Sequence, residues 1–332
     1  MKIVVTGSLG HISKPLIKEL VQKGHAVTVI SSKPEKQKDI EAVGASAAIG
    51  SVEDTDFLTA TFIGADAVYT MVPPTNFFDP NLDLYDYCRR IGNNYAQAIR
   101  RSGIKRVVHL SSIGAHLEKD SGLILAHREV ELILDKLSDV AITFVRPVGF
   151  YYNLLGFIPM IKNQGLIAAN YGADENLVWV SPIDIAAAVA EELTAPPTQA
   201  SATSPTQASA RPLTNTSAQA SATPLANTSA PRVHAKVRYV ASDELTGHET
   251  ASILGAAIGK PDLKWILISN EQRQSVLESV GLNPKIAAGL VEMFASQHSG
   301  ALMEDYYHNK PKLGKVKLTD FAKEFAAAFN QK

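Results

Sequence analysis

The sequence predicts an α/β protein with a doubly wound parallel sheet and a smaller, mostly helical C-terminal subdomain. One observation behind this prediction is a β-α-β unit at residues 2–30, whose first turn carries Gly7 and Gly10. The other is the alternation of apolar β-branched runs with amphipathic segments through the first half of the chain. Such alternation is typical of a parallel sheet covered by helices on both faces, the arrangement of Rossmann-type domains.

The first β-α-β unit is defined by a change of hydrophobic periodicity. Residues 3–5 form an apolar β-branched run, Gly24 ends the helix that follows, and a second run covers 27–30. The apolar residues at helical spacing are Ile12, Leu16, Ile17, Leu20 and Val21. The turn reads Gly-x-x-Gly-x-x-Ser at 7–13, and such turns let backbone N–H groups approach a pyrophosphate at the positive end of a helix. A simple βα turn without a ligand is the alternative.

Strands and helices continue to alternate along the chain. Further strands are predicted at 45–49, 66–71, 106–110 and 141–146. Helices are predicted at 82–102, 123–137 and 182–194, and another opens at 52–54. The alternation weakens after Pro147, and later helices are predicted at 246–258, 271–280, 284–297 and 318–329. We therefore expect a dinucleotide-binding domain at 1–150 and a substrate-side subdomain at 151–332 that closes the crevice at the carboxyl ends of the strands.

A low-complexity tract interrupts the second half of the chain at 197–232. Apart from Arg211 and Arg232 it contains only Ala, Ser, Thr, Pro, Gln, Asn and Leu, and it repeats short motifs such as PTQASA. Because it has no aromatic residue and few apolar ones, it cannot bury enough surface to fold. The composition predicts a flexible, disordered insertion.

Composition excludes several classes of protein. The 332 residues carry a formal net charge of −1 without a basic patch, so direct nucleic-acid binding is not expected. The single cysteine, Cys88, excludes a disulfide framework and a thiolate zinc cluster. The pair His11 and His127 has no metal-ligand spacing, so we predict no structural metal. No apolar stretch is long enough for a membrane span, and a strand begins at residue 3, so we expect a cytoplasmic protein without a signal peptide. An oligomer is compatible with the sequence.

The residues after the second strand favour one nicotinamide cofactor over the other. NAD sites usually have an acid here that binds the ribose hydroxyls. This strand instead ends in Ser31, Ser32 and Lys33, with no acid before Glu35. Hydroxyls followed by a cation suit a 2′-phosphate, so NADP(H) is predicted to be preferred over NAD(H). The alternative is that Ser32 and Lys33 only cap the next helix.

Five segments give the chain a family resemblance. They read VVTGSLGHIS at 4–13, VVHLSSIGAH at 107–116, LAHREVELIL at 125–134, ITFVRPVGFYYNLL at 142–155 and VSPIDIAAAVAEEL at 180–193. With these motifs the chain resembles the NmrA-like atypical short-chain dehydrogenases. That group includes bacterial NAD(P)H-dependent quinone reductases and redox-sensing regulators, and the resemblance covers nearly the whole chain outside the low-complexity tract.

The resemblance implies roles for individual residues. Around the pyrophosphate and adenosine it implies Thr6, Gly7, Leu9, Gly10, His11 and Ile12. At the adenosine ribose or its phosphate it implies Ser32 and Lys33, and beneath the cofactor Met71, Val72 and Pro73. Near the nicotinamide and its ribose it implies Ser111, Ser112, Ile113, Pro147, Val148 and Phe150. The substrate pocket is expected to contain Phe150, Tyr151 and Asn153.

One departure from the family pattern concerns proton transfer. Typical short-chain dehydrogenases use Tyr-x-x-x-Lys, in which the lysine lowers the pKa of the tyrosine. The corresponding helix here has His127 and Glu131 at those two positions. His127 is a candidate proton donor because imidazole titrates near neutrality. The alternative, which is favoured, is that His127 lies on the helix surface or only supports residues that touch the ligand. Ser112 lies near the usual catalytic serine, and His109 and His116 are weaker candidates.

Two functions of different classes fit these observations. The first is an NADPH-dependent reductase of a quinone-like or other conjugated small molecule, in which the cofactor supplies the chemistry and the protein positions the substrate. The second is a non-catalytic NADP(H) sensor that regulates a protein partner. A carbonyl or sugar-nucleotide reductase of the extended type is disfavoured by the missing Tyr–Lys pair.

Overall fold

A computed structural model describes residues 1–196 and 235–331. The low-complexity tract at 197–232, for which the sequence predicts an insertion, lies outside the described residues. Within the described ranges, no helix is both long and apolar enough to cross a membrane.

The main sheet contains seven parallel strands, which confirms the predicted Rossmann-type fold. They are β1 (Lys2–Val5), β2 (Ala26–Ser31), β3 (Ser46–Ile49), β4 (Ala67–Met71), β5 (Arg106–Leu110), β6 (Ala141–Pro147) and β10 (Lys236–Val240). Their order is β10-β6-β5-β4-β1-β2-β3. Because β1 pairs with β2 on one side and β4 on the other, the strand order reverses at β1. Ligands of such sheets bind outside the carboxyl ends of the strands at this reversal.

Helices cover both faces of the main sheet. They are α1 (Ser13–Gln22), α2 (Gln37–Ala42), α3 (Thr55–Phe62), α4 (Leu84–Ser102), α5 (Ile124–Leu134) and α7 (Pro182–Thr194). Successive residues of β1 alternate between two cores, as strand geometry requires. Ile3 belongs to the core that contains Leu16 of α1 and Val189 of α7. Val4 belongs to the opposite core, which contains Tyr95 of α4.

The rest of the chain forms short strands and helices around a third core. The strands are β7 (Gly149–Phe150), β8 (Leu166–Ala169), β9 (Asn176–Val180), β11 (Asp243–Thr246) and β12 (Lys264–Leu267). The helices are α6 (Ile158–Gln164), α8 (Gly247–Ala257), α9 (Asn270–Ser279), α10 (Pro284–His298), α11 (Glu304–His308) and α12 (Leu318–Asn330), with a 3₁₀ segment at Tyr151–Phe157. The sequence analysis did not predict these strands, which contain two to five residues and lie where the regular alternation of strands and helices has ended. Trp265, Phe321 and Phe325 are buried in this third core.

Two elements beyond residue 150, β10 and α7, pack with the main sheet and its helices. β10 is an edge strand of the main sheet, although it begins at Lys236. α7 packs against α1 through Ile185, Val189 and Leu193. The chain therefore leaves the nucleotide-binding layer after β6 and returns to it twice, because the apolar faces of α7 and β10 are buried only there.

A buried ion pair joins five of these elements. Arg146 of β6 donates two hydrogen bonds to Glu131 of α5, from Nε at 2.9 Å and from Nη2 at 2.6 Å. The hydroxyl of Ser111, after β5, donates to the same carboxylate at 2.5 Å. Arg146 Nη1 donates to the hydroxyl of Tyr239 in β10 at 3.2 Å, and that hydroxyl donates in turn to Asp305 of α11. Burial alone would lower the pKa of the guanidinium, but the hydrogen bonds with Glu131 raise it overall.

The helix α10 covers the loops that follow β4 and β5. Asn283 at its N-terminus is buried, and its Nδ2 donates to the carbonyl of Asp79 at 2.9 Å. Gly122 lies so close to the helix that an added Cβ would be 1.9 Å from the carbonyl oxygen of Gly289. The C-terminal helices thus enclose one side of the crevice at the carboxyl edge of the sheet.

Removing one partner of the buried pair is predicted to destabilise the whole fold. Glu131→Gln removes the buried carboxylate paired with Arg146 and leaves only the partly exposed Asp305, 3.5 Å from Nη1, as a counter-charge, which costs about 3–5 kcal/mol. The measurement is the free energy of unfolding in urea. Glu191→Gln is the matched control, because Glu191 forms an exposed ion pair with Arg238 and should contribute less than about 1 kcal/mol. Equal losses in the two variants would contradict the prediction.

The low-complexity tract is predicted to be dispensable for the cofactor site. The tract connects the end of α7 to the start of β10, and both of these ends lie at the amino-terminal edge of the sheet. At that edge Arg106, the first residue of β5, donates a hydrogen bond from Nη1 to the Leu193 carbonyl near the end of α7, at 3.0 Å. The crevice lies at the opposite edge. Replacing residues 198–231 with a short Gly-Ser linker should leave the melting temperature and NADPH affinity nearly unchanged, because each halving of loop length changes the closure entropy by only about 0.6 kcal/mol. A large loss of either quantity would mean that the tract has an ordered role.

Candidate functional site

The turn between β1 and α1 is built around Gly7. Its φ is +86°, and an added Cβ would lie 2.6 Å from the Met71 sulfur and 2.7 Å from Ser13 Oγ. A side chain is therefore excluded by both conformation and space. Ser13 occupies the third small position of the motif, where its hydroxyl donates to the Thr6 carbonyl at 2.9 Å. Gly10 has no left-handed conformation, but an added Cβ would lie 3.1 Å from the Gly7 carbonyl oxygen.

The N-terminus of α1 is free to bind an anion. No side chain caps it and no acid lies in its first turn. Within the described residues, the backbone N–H groups of Leu9, His11 and Ile12 have no hydrogen-bond acceptor. Unpaired N–H groups at the positive end of a helix dipole are the usual receptor for a phosphate group.

A cavity of about 600 Å³ adjoins this turn. Its lining consists of Gly7, Ser8, Leu9, Gly10, Ile30, Ser31, Ser32, Lys33, Lys36, Gly50, Ser51, Val52, Glu53, Pro73, Pro74 and Tyr87. Its only cations are Lys33 and Lys36, which lie on the same side after β2, and its acid, Glu53, pairs with Arg90 at 3.2 Å. Ser31 accepts hydrogen bonds from the Ser8 hydroxyl and the Lys33 amide. The cavity therefore offers hydroxyls and positive charge where a dinucleotide would place its adenosine ribose.

The end of β4 forms the floor of the crevice. The Met71 N–H donates to Thr6 Oγ1 at 3.2 Å, and the Tyr95 hydroxyl donates to the Met71 carbonyl at 2.8 Å. The Tyr87 hydroxyl donates to the carbonyl of Pro73 at 3.2 Å. These bonds hold the segment 71–73 against β1 and α4. The family resemblance implies that this segment lies beneath the cofactor.

The other end of the crevice is formed by the segments that follow β5 and β6. The Ile113 N–H donates to the Pro147 carbonyl at 2.9 Å, so the two segments stay paired beyond the strands. Ile113 and Val148 are buried. The hydroxyl of Ser111 is held by Glu131, whereas the half-buried Ser112 hydroxyl has no partner within the described residues. Of the two serines, only Ser112 has a hydroxyl free for a ligand.

Three stacked rings line this region. The His11 ring stacks on Tyr152 with centroids 4.8 Å apart, and Tyr152 stacks on Phe150 at 4.9 Å. Tyr151, which the sequence assigned to the substrate pocket, is instead buried, and its hydroxyl donates to Asp243 at 2.8 Å. Phe150 ends β7 and Tyr152 lies in the 3₁₀ segment that follows it, so the chain turns between the two stacked rings. Asn153 is exposed.

Two histidines near α5 are neutral at neutral pH. Burial lowers the pKa of His109 to about 3, with a smaller contribution from His127, and His109 Nδ1 lies 2.9 Å from the Thr70 hydroxyl. Burial also lowers the pKa of His127, which Glu131 only partly opposes. The Nδ1 atom of His127 is buried and has no hydrogen-bond partner within the described residues. At pH 7 His127 is thus an uncharged imidazole, which is a poorer proton donor than an imidazolium.

Sequence reasoning missed Lys36 and Tyr152 at this site. Lys36 follows Lys33 by three residues, which is one 3₁₀ turn, and that spacing was a usable signal. Tyr152 had no comparable signal, because it lies in a 3₁₀ segment, where strand alternation does not apply. The roles of Glu131 and Arg146 had no signal in the sequence, because their contact joins a helix to a strand.

Comparison with known proteins agrees with this geometry. A family described as NAD(P)H-binding matches residues 7–196, which is more than half of the chain. An NAD(P)H azoreductase of Xenophilus azovorans is 24% identical over 332 residues, which covers 98% of this chain and 99% of that protein. A (4-alkanoyl-5-oxo-2,5-dihydrofuran-3-yl)methyl phosphate reductase of Streptomyces griseus is 29% identical over 196 residues, or 58% of this chain and 63% of that protein.

Two solved structures share the fold over nearly their whole length. The NADPH-dependent quinone oxidoreductase of Escherichia coli in complex with NADPH has a TM-score of 0.69 at 19% identity, covering 97% of this chain and 99% of its own. The triphenylmethane reductase of Citrobacter sp. has a TM-score of 0.68 at 18% identity, with the same coverage. The chain belongs to the NAD(P)H-binding family, and within it the chain fits the NmrA-like atypical short-chain dehydrogenases.

Proposed function

We propose that this protein is an NADPH-dependent reductase that transfers hydride to a quinone-like or other conjugated small molecule. The observation that carries the proposal is that, among the described residues, α5 presents neither the Tyr–Lys pair nor a charged proton donor in its place. His127 is neutral, Glu131 is paired with Arg146, and no tyrosine or lysine occupies their helix positions. A conjugated acceptor spreads the added charge over its π-system, so it depends less on a side-chain acid than an isolated ketone does.

The residues of the chain would act by positioning. The N–H groups at the start of α1 bind the pyrophosphate, and the segments after β5 and β6 flank the nicotinamide. NADPH supplies the hydride when it is bound. The stack of His11, Tyr152 and Phe150 presents its ring edges and the outer faces of its two end rings, and a planar acceptor packs against these. The reduced product takes its proton from water.

The named activities of the relatives support this class of acceptor. An azo group, a triphenylmethane dye and a quinone are all conjugated, and each is reduced by one of the proteins described above. These reductases match the chain along nearly all of its length. The rival hypothesis, a non-catalytic NADP(H) sensor, is tested by the same assay.

The decisive experiment is NADPH oxidation with a panel of quinones, azo compounds and simple ketones. The proposal predicts turnover with conjugated acceptors and little with ketones. Tight NADPH binding without oxidation by any acceptor would overturn the reductase and favour the sensor.

NADPH is predicted to bind more tightly than NADH. The cavity presents Lys33 and Lys36 beside the hydroxyls of Ser31 and Ser32, and a charge-assisted contact to the 2′-phosphate contributes about 1.5–3 kcal/mol, or about tenfold to a hundredfold in affinity. Lys33→Ala should remove most of this difference in dissociation constants. Lys38→Ala is the control, because Lys38 is exposed on α2 and does not line the cavity. Equal affinities for the two cofactors in the unmodified protein would reject the preference.

The His127 side chain is predicted to contribute little to turnover. His127→Ala should lower the single-turnover rate of NADPH oxidation by less than the roughly hundredfold that a general acid contributes at minimum. Gly10→Val should be far more damaging, since its side chain would crowd the Gly7 carbonyl and the approach to the pyrophosphate. Circular dichroism checks the folding of both variants. A thousandfold loss in His127→Ala with unchanged NADPH affinity would make His127 the proton donor.

A further inference from the structure

Ser8 has an unusual backbone conformation for a serine. Its φ is +52°, in the left-handed region, where a side chain is disfavoured and glycine is the usual residue. Ser8 lies in the turn between β1 and α1 and lines the cavity of about 600 Å³. The other non-glycine residues with positive φ in the described ranges, Asp120 and Ala173, do not line that cavity. Because strained residues cluster at binding and active sites, we expect the Ser8 side chain to have a role at the cavity.

The Ser8 hydroxyl joins this turn to the end of β2. It donates a hydrogen bond to Ser31 Oγ at 3.0 Å. The N–H of Ser8 donates to the Ile30 carbonyl at 3.1 Å, so both donors of the residue are directed to the last two residues of β2. The Ser8 N–H is thereby unavailable to a phosphate group. What Ser8 contributes to the cavity is therefore its side chain.

Ser31 has a buried hydroxyl whose two lone pairs are both used. Only 3% of the residue is exposed, and it lines the cavity. Its Oγ accepts one hydrogen bond from Ser8 and a second from the Lys33 N–H at 3.3 Å. Since a hydroxyl has two lone pairs and one proton, this one can only donate further. Its proton has no acceptor among the described residues, so a ligand in the cavity is left to supply one.

The two nicotinamide cofactors differ at the group that such a donor would meet. NADPH carries a 2′-phosphate on its adenosine ribose, whose charged oxygens accept hydrogen bonds. NADH carries a neutral 2′-hydroxyl, which must also place its own proton. A hydroxyl that can only donate forms a charge-assisted bond with the phosphate and a weaker, neutral bond with the 2′-hydroxyl, from which it cannot accept. The cation Lys33 lines the same cavity and favours the phosphate as well.

We propose that Ser8 is a positioning residue for cofactor selection, which holds Ser31 as a hydrogen-bond donor to the 2′-phosphate of NADPH. This role rests on the proposed preference for NADPH, but not on hydride transfer to any acceptor. Without the Ser8 hydroxyl, the Ser31 hydroxyl is free to turn and to accept a hydrogen bond from the 2′-hydroxyl of NADH. The contact between Ser8 and Ser31 therefore increases the affinity for NADPH relative to that for NADH.

The test is isothermal titration calorimetry with NADPH and with NADH in the absence of an acceptor. Ser8→Ala should reduce the ratio of the two affinities about fivefold, which is the difference between a charge-assisted and a neutral hydrogen bond. Ser31→Ala should reduce it by at least as much. Ser46→Ala is the matched control, because it removes an exposed hydroxyl at the start of β3, outside the cavity, and it should leave the ratio unchanged.

The double variant Ser8→Ala/Ser31→Ala distinguishes an indirect role of Ser8 from a direct contact with the cofactor. If Ser8 acts through Ser31, the double variant should have the same affinity ratio as Ser31→Ala alone, since residues that act as one unit are not additive. Ser8→Gly removes the hydroxyl and also relieves the left-handed strain. It should lose the same selectivity as Ser8→Ala but melt at a higher temperature, which separates cofactor selection from the stability of the turn.

An unchanged affinity ratio in a folded Ser8→Ala protein would overturn the proposal and leave the NADPH preference intact. Additive losses in the double variant would also overturn it, because Ser8 would then contact the phosphate itself. Equal affinities for NADPH and NADH in the unmodified protein would reject both the preference and the role of Ser8. If no acceptor is reduced while the ratio still depends on Ser8 through Ser31, the reductase fails and the cofactor selection stands.

Discussion

The buried ion pair between Glu131 and Arg146 is the constraint on which the rest of this structure depends. Two charges that are removed from water must be paired and fully hydrogen-bonded, or the fold loses several kcal/mol. Ser111, Tyr239 and Asp305 complete that pairing. Pairing these two charges therefore brings α5, β10, α11 and the ends of β5 and β6 together. The C-terminal helices consequently lie over the crevice.

The same pair changes what the crevice can do. In typical short-chain dehydrogenases the helix position of Glu131 holds a lysine, which activates a tyrosine for proton transfer. Here that position holds Glu131, whose carboxylate is already paired with Arg146. With His127 neutral as well, the chain is left to bind, orient and exclude water. This is the reason for proposing that the protein reduces conjugated acceptors rather than isolated carbonyls.

The sequence predicted the nucleotide half of the molecule well because its signals are local. A β-branched run, a glycine turn and an amphipathic helix are encoded within 30 residues, and so is the Ser31–Lys33 segment that ends at the cavity. The C-terminal half was harder, since strands such as Gly149–Phe150 are too short to show a period. Tyr151 and Tyr152 illustrate the limit: which of two adjacent rings is buried depends on the core that receives it, and here Phe321 stacks on Tyr151.

By itself, the sequence determined the fold class, the order of the main strands and helices, and the turn at Gly7 and Gly10, because hydrophobic periodicity and backbone conformation act over neighbouring residues. Only the tertiary structure decided that α7 and β10 return to the main sheet, and that Glu131 meets Arg146. These outcomes depend on residues far apart in the chain, and a charge is paired or unpaired only once packing has set its neighbours.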